Sequence, residues 1–285
     1  MTIQDAIRTS IGMLRTIYEE SEASNISHWV IEHLTGANKS GRVTQKEKDL
    51  SPEHQLLFDQ YLERLLTHEP VQYILNESWF CGLRFYVDKN VLIPRPETEE
   101  LVEWIISNCK FPFEELKILD IGSGSGCIAI ALKRKLRKAE VWSCDISEDA
   151  LNVAKKNALT LGAHVNFIRL DILDPQQWKQ LPSFDLIVSN PPYVPEKNRA
   201  QMRPNVLSYE PPTALFVPDK NPLLFYESIA DFGYEYLNER GSIYTEVHES
   251  LGGPAAELFQ LKGYMTELKT DLQGKDRMIK SIHNH

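Results

Sequence analysis

Two short segments of this 285-residue sequence hold residue types at spacings that suit chemistry. The first is Asp120-Ile-Gly122-Ser123-Gly124-Ser125-Gly126, three glycines at alternate positions behind an acid. Glycine lets the backbone bend tightly or approach a ligand with no Cβ in the way, which suits a nucleotide-like group where a strand turns into a helix. The second is Asn190-Pro191-Pro192-Tyr193. Two prolines in series make a stiff loop with few conformers, so a ligand there meets a preorganised surface.

The spacing around the glycines selects among ligands. Asp145 closes the next β-rich run, nineteen residues after Gly126. In a parallel sheet that position faces the ligand crevice, where a carboxylate accepts hydrogen bonds from both ribose hydroxyls. The run is Gly-x-Gly-x-Gly and not the dinucleotide Gly-x-Gly-x-x-Gly, and the Asp120 carboxylate repels a pyrophosphate while tolerating a cation. S-adenosylmethionine, with an amino group and a sulfonium, fits better than NAD. Asp120, Gly122, Ser123, Gly124, Ser125, Gly126 and Asp145 are its expected contacts. Ile172, after the third strand, is expected to be an apolar wall for the adenine, or else an ordinary core isoleucine.

The second segment suits an amino group attached to a π system. Such a group is planar, a poor nucleophile, and presents two hydrogens that need two acceptors. The Asn190 side-chain oxygen and the Pro191 carbonyl supply them, and the Tyr193 ring can pack against a flat substrate. Holding the nitrogen about 3 to 3.5 Å from the methyl, in line, contributes several kcal/mol through orientation. The acceptors also stabilise positive charge growing on the nitrogen, so no dedicated general base is required.

These segments must sit at one edge of a sheet. Strands are predicted over 117–121, 140–145, 165–170, 184–189, 242–247, 264–268 and 278–282, with helices over 97–109, up to 136, and over 147–161, 223–238 and 254–261. That alternation implies an α/β fold, a mostly parallel sheet covered by helices on both faces. Residues 1–70 are helical in spacing, with Gly36 ending one helix, Ser51 and Pro52 starting another and Pro70 closing the stretch. A hairpin is predicted around Cys81-Gly82. The expected domains are a helical docking domain over 1–72, a β-hairpin linker over 73–96 and a methyltransferase domain over 97–285.

Composition excludes other classes. With 42% hydrophobic and 25% charged residues, 14 Gly and 16 Pro, the chain is neither fibrous nor disordered. Its longest apolar run, 127–132, is far short of the roughly 18 to 20 residues that span a bilayer, and residues 1–20 lack a signal peptide's apolar block, so a cytoplasmic protein is expected. Four dispersed cysteines indicate neither a zinc site nor disulfides, and no metal is expected. The net charge of -9 disfavours a general nucleic-acid binder. The basic run 133–138 is read as a helix end whose cations offset the macrodipole.

Beyond these readings, the sequence resembles the PrmC/HemK family of peptide chain release factor glutamine methyltransferases. The resemblance rests on Ile93-Pro94-Arg95-Pro96-Glu97-Thr98-Glu99, the 120–126 and 190–193 segments, Glu210-Pro211-Pro212-Thr213-Ala214-Leu215, and 271–277, in that order. It implies a Rossmann-like class I methyltransferase domain with a seven-stranded sheet, and methylation of the side-chain amide of the glutamine in a release factor's Gly-Gly-Gln motif. It further implies that Gly122 to Gly126, Asp145, Ile172 and Asn190 contact S-adenosylmethionine. Asn190, Pro191, Pro192 and Tyr193 would contact the substrate, with Asn190, Pro191 and Tyr193 catalytic and the helical domain docking a class I release factor. A monomer without direct nucleic-acid contact is expected.

Three places depart from the family pattern: 217–222 lacks the usual glycines, Glu246-Val247-His248 has no glycine after the pair, and Ile172 stands where an aromatic residue occurs in relatives. Arg95, Glu97 and Glu99 are read as a proline-set turn and a helix start with favourable acids. Asn-Pro-Pro-Tyr is shared with adenine-N(6) nucleic-acid methyltransferases, which makes such an enzyme the alternative; a basic groove would be expected of it and none is evident.

Overall fold

The computed structural model describes residues 1–37, 39–109 and 115–283; the remaining positions of the expected domains lie outside these described residues. The chain forms two compact units, Met1–Glu77 with Arg203–Tyr209, and Ser78–Met202 with Glu210–His285.

The first unit is helical: α1 (Ile3–Leu14), α2 (Glu20–Thr35), α3 (Lys39–Thr44), α4 (Pro52–Leu66) and α5 (Val71–Leu75). Its starts and stops follow the local chemistry. Ser51 accepts the His54 N–H at the start of α4, Pro52 occupies the first turn, and Gly36 takes a left-handed φ of 68° after α2. Ile17 lies past the end of α1, where the Thr16 hydroxyl donates back to the Met13 carbonyl. Leu14, Ile31, Phe58 and Leu65 form the centre of this unit's core. The short helix Pro204–Tyr209 belongs here too, and its Tyr209 hydroxyl donates to the Thr67 carbonyl at 2.8 Å.

The second unit begins with the hairpin β1 (Ser78–Phe80) and β2 (Leu83–Phe85), joined by Cys81 and Gly82 with φ of 49° and 72°. Two left-handed residues are what a tight two-residue turn requires. Phe80 and Phe85 are buried in this unit's core, so the segment expected as a linker is divided: α5 packs in the first unit and the hairpin in the second. Then come α6 (Pro96–Asn108), β3 (Lys117–Ile121), α7 (Cys127–Lys135), β4 (Glu140–Asp145), α8 (Glu148–Thr160), β5 (Val165–Arg169) and β6 (Phe184–Ser189). A small pair, β7 (Val194–Pro195) and β8 (Phe216–Val217), precedes β9 (Leu237–Glu246), β10 (Tyr264–Thr270) and β11 (Asp276–His283). Helices Leu224–Tyr236 and Gly252–Leu261 flank β9 in sequence.

The main sheet has seven strands in the order β10-β11-β9-β6-β3-β4-β5, with β11 alone running opposite to the other six. Its centre is apolar on both faces: Ile118 and Leu119 of β3 are fully buried, as parallel strands between helix layers must be. One core gathers α6 and α7, the other the helices Leu224–Tyr236 and Gly252–Leu261. From β3 the chain builds outward through β4 and β5, then crosses back to lay β6 on the opposite side of β3. This reversal opens a crevice at the carboxyl ends of β3 and β6, where such sheets bind ligands.

Candidate functional site

The turn from β3 into α7 needs its glycines for conformation. Gly122, Gly124 and Gly126 have φ of 88°, 50° and 79°, a region other residues enter only with strain. The N–H groups of Gly122 and Ser123 both donate to the Cys144 carbonyl, at 2.8 and 3.0 Å, tying the loop to β4. At Gly126 there is also no room: a Cβ would stand 3.0 Å from Ile130 Cδ1 and 3.1 Å from Ala154 Cβ, the latter on α8. Gly126→Ala is therefore expected to lower stability by about 2 to 3 kcal/mol, from left-handed strain and overpacking together. A melting temperature unchanged from wild type would contradict this.

Beyond the loop lies a cavity of about 340 Å³. Of the residues singled out from the sequence, Gly122, Ser123, Gly124, Ser125, Asp145, Ile172, Asn190, Pro191 and Pro192 line it. Asp120, Gly126 and Tyr193 do not.

Asp145 is the acid on the cavity wall. Its Oδ2 accepts the Gly124 N–H and its Oδ1 the Ser147 N–H, both at 2.9 Å. Burial raises its pKa against those two bonds. Each carboxylate oxygen has a further lone pair, so two hydroxyls of a ligand can still be accepted. Asp120 lies beneath the loop, fully buried, and burial pushes it up to about 8 despite the Ser143 hydroxyl that donates to it at 2.9 Å. Ser143 in turn meets Ser123 Oγ at 2.6 Å. Asp120 thus reaches the loop through two serines. Ile172 is 6% exposed and its carbonyl accepts the Trp178 indole N–H, which fixes the wall it forms.

Asn190 follows β6 directly. Parallel pairing sets Ser189 opposite Thr245, so Asn190 and Glu246 leave the sheet side by side. The Asn190 Nδ2 donates to Thr98 Oγ1 at 3.0 Å, and that hydroxyl donates to Glu246 Oε2 at 2.6 Å. With its NH₂ committed, the Asn190 side chain keeps its oxygen as an acceptor. Glu246 is 1% exposed; burial pushes its pKa up to about 7, opposed by the Thr98 bond and the Arg277 charge. The Tyr193 hydroxyl donates to Glu246 Oε1 at 3.3 Å, and its ring lies 5.9 Å from that of His248. The Tyr193 hydroxyl thus faces into the protein, where Glu246 is its partner. Thr98 and Glu246 had no site role in the sequence reading, although Thr98 sits within the 93–99 segment and Glu246 within the 246–248 departure.

Arg95 also had no assigned role. It is the N-cap residue of α6, and its Nη2 donates to Glu210 Oε1 at 2.6 Å, while the Ile93 N–H donates to Glu210 Oε2 at 3.3 Å. Glu210 is 3% exposed and Pro211 beside it lines the cavity, so this pair pins two stretches of the wall together. Arg95→Ala leaves a buried carboxylate with one backbone donor, and a loss of roughly 2 to 3 kcal/mol is expected by thermal or denaturant unfolding. Glu97 and Glu99 fall in the first turn of α6, as expected. Lys133, Arg134 and Lys135 close α7, and Lys133 donates to the carbonyls of Arg137 and Ala139. The 217–222 stretch is held by β7 and β8 pairing and by Asp219, whose Oδ1 accepts the Lys197 N–H. Among the described residues there is no cluster suited to a metal, no disulfide, and no helix long and apolar enough to cross a membrane.

Comparison with known proteins adds to this geometry. Residues 98–207 match the Methyltransferase small domain family and residues 5–75 the PrmC N-terminal domain family. A release factor glutamine methyltransferase of Flavobacterium psychrophilum is 41% identical over 98% of this chain and 99% of its own length. One of Bacteroides thetaiotaomicron is 40% identical over 93% of this chain and 95% of its own. A methyltransferase structure from Pyrococcus furiosus superposes with a TM-score of 0.51 at 15% identity, over 81% of this chain and 96% of that one, a likeness of fold.

Proposed function

The chain belongs to the release factor glutamine methyltransferase family, and on that premise we propose that it methylates the side-chain amide nitrogen of the glutamine in the Gly-Gly-Gln motif of class I peptide chain release factors. The methyl donor is S-adenosylmethionine and the product S-adenosylhomocysteine. The observation that carries this reading is the Asn190 carboxamide, whose NH₂ is taken up by Thr98 so that its oxygen remains for a substrate N–H beside the glycine loop.

The cavity residues fit this donor. The left-handed glycine loop lets backbone come close, Asp145 has lone pairs for ribose hydroxyls, and Ile172 supplies an apolar wall. When bound, the donor supplies a methyl group on a positively charged sulfur, which leaves as a neutral thioether. Asn190 Oδ1 and the Pro191 carbonyl accept the two hydrogens of the substrate amide and hold its nitrogen toward that methyl. As the N–C bond forms, the same two acceptors face the growing positive charge, and the surplus proton passes to solvent. Pro191 and Pro192 keep the acceptors in place without ordering cost. The helical unit, Met1–Glu77 with Arg203–Tyr209, is the proposed dock for the release factor, in a monomeric cytoplasmic enzyme.

The test is methyl transfer from labelled S-adenosylmethionine, run in parallel on a class I release factor, its Gln→Ala variant and a mixed DNA and RNA pool. Label is expected on the release factor only, and absent from the variant. Label on nucleic acid alone would overturn the proposal in favour of adenine-N(6) chemistry.

A further inference from the structure

We propose that Thr98 and Glu246 are positioning residues that set which way the Asn190 carboxamide faces, so that its oxygen and not its NH₂ meets the substrate's amino group. This rests on Asn190 being the acceptor for the reacting amide.

A carboxamide has nearly the same shape in its two flipped orientations, but one presents an acceptor to the cavity and the other a donor. Only the first can hold a substrate NH₂. A threonine hydroxyl alone cannot choose between them, because it donates and accepts equally well. Glu246 removes that ambiguity. An ionised carboxylate only accepts, so the Thr98 proton is drawn to Oε2 at 2.6 Å, and Asn190 meets only the lone pairs of Thr98 Oγ1. Those lone pairs attract an NH₂ and repel an oxygen. The Tyr193 hydroxyl on Oε1 holds the other end of the carboxylate.

The selector is sensitive to protons. Protonated Glu246 can donate to Thr98, which reverses the hydroxyl and lets it donate to an Asn190 oxygen turned away from the cavity. Glu246 is faced by Glu97 and Thr98 from α6, by Tyr193 from the loop after β6, by Tyr226 from helix Leu224–Tyr236 and by Arg277 from β11. Both tyrosines are raised above their ordinary value by burial and so stay neutral. Arg277 is held charged by Asp271, whose Oδ2 lies 3.1 Å from its Nε. With Glu246 raised to about 7, the orientation that accepts substrate is populated above that pH and lost as pH falls through it. His248 is lowered from 6.5 by burial, so any step it caused would lie at lower pH.

Steady-state kinetics on a release factor, with kcat and KM separated, test the relay. Thr98→Val is expected to lower kcat about 100-fold with cofactor affinity within about twofold, and Thr98→Ser to restore most of it. Wild-type kcat/KM should fall on the acid side with a midpoint near 7; Glu246→Gln should erase that limb, and His248→Gln should keep it. In an Asn190→Ala background, Thr98→Val should cost nothing further. A Thr98→Val kcat within about threefold of wild type, or full additivity with Asn190→Ala, would overturn the relay. A second readout needs no substrate: the side-chain amide NMR signals of Asn190, assigned by their loss in Asn190→Ala, should shift with a midpoint near 7 in wild type and stay fixed in Glu246→Gln. Signals that ignore pH in wild type overturn the relay whatever the substrate. A normal titration in an enzyme that labels no release factor overturns the function and leaves the relay standing.

Discussion

Asn190→Ala is expected to lower kcat on a release factor by about 1000-fold while leaving the dissociation constant of S-adenosylmethionine within about threefold. The side chain removed presents one of two acceptors to the reacting nitrogen, and that contact gains strength as positive charge develops, so its loss falls on the transition state. The Pro191 carbonyl remains but cannot by itself fix the plane of the amide. The cofactor half of the cavity, from Gly122 to Ser125 and Asp145, is untouched by the change. Asn190→Asp refines the test: it keeps an acceptor, but its second oxygen would face the lone pairs of Thr98 where an NH₂ now donates at 3.0 Å. The aspartate should therefore recover only a small part of the lost rate. Rapid-quench single turnovers at saturating cofactor measure both, and a kcat for Asn190→Ala near wild type would remove Asn190 from the chemistry.

What sequence could and could not reveal here follows from how far each interaction reaches. The glycine run was legible because left-handed φ is a local demand, met residue by residue at Gly122, Gly124 and Gly126. Asp145 was legible because a strand end in an alternating pattern has a known relation to the crevice. The β3, β4 and β6 boundaries agree with the expectation because uninterrupted apolar runs bounded by turn residues leave little choice. Thr98 and Glu246 are 148 residues apart, and they meet only because α6 packs against the end of β9. That same distant carboxylate holds the Tyr193 hydroxyl. The partner of Asp120 is hidden in the sequence for a related reason: its position in the strand is plain, but the Ser143 hydroxyl that binds it comes from the neighbouring β4. Helices of five or six residues, α5 and α3, are too short to show a period, and β9 starts early through Glu239-Arg240-Gly241, which reads locally as a turn.

Asp145→Ala is expected to show the opposite kinetic pattern, weakening S-adenosylmethionine binding by about 100-fold or more while kcat at saturating cofactor stays within about threefold of wild type. Two hydrogen bonds from ribose hydroxyls to a carboxylate contribute roughly 1.5 to 3 kcal/mol each, and part of this is offset because burial already disfavours the charge. Without cofactor the protein should lose little stability, since the Gly124 and Ser147 N–H groups released by the substitution border a cavity that water can enter. Adding cofactor should then raise the melting temperature of wild type but scarcely that of the variant, because the ligand-linked stabilisation depends on affinity. Asp145→Asn should fall between the two, since an amide keeps one acceptor but offers an NH₂ where either Gly124 or Ser147 now donates. Titration calorimetry gives the affinities directly. Wild-type affinity in Asp145→Ala would mean that the carboxylate serves only to hold the Gly124 and Ser147 N–H groups, and that the ribose is carried by the backbone of the glycine loop.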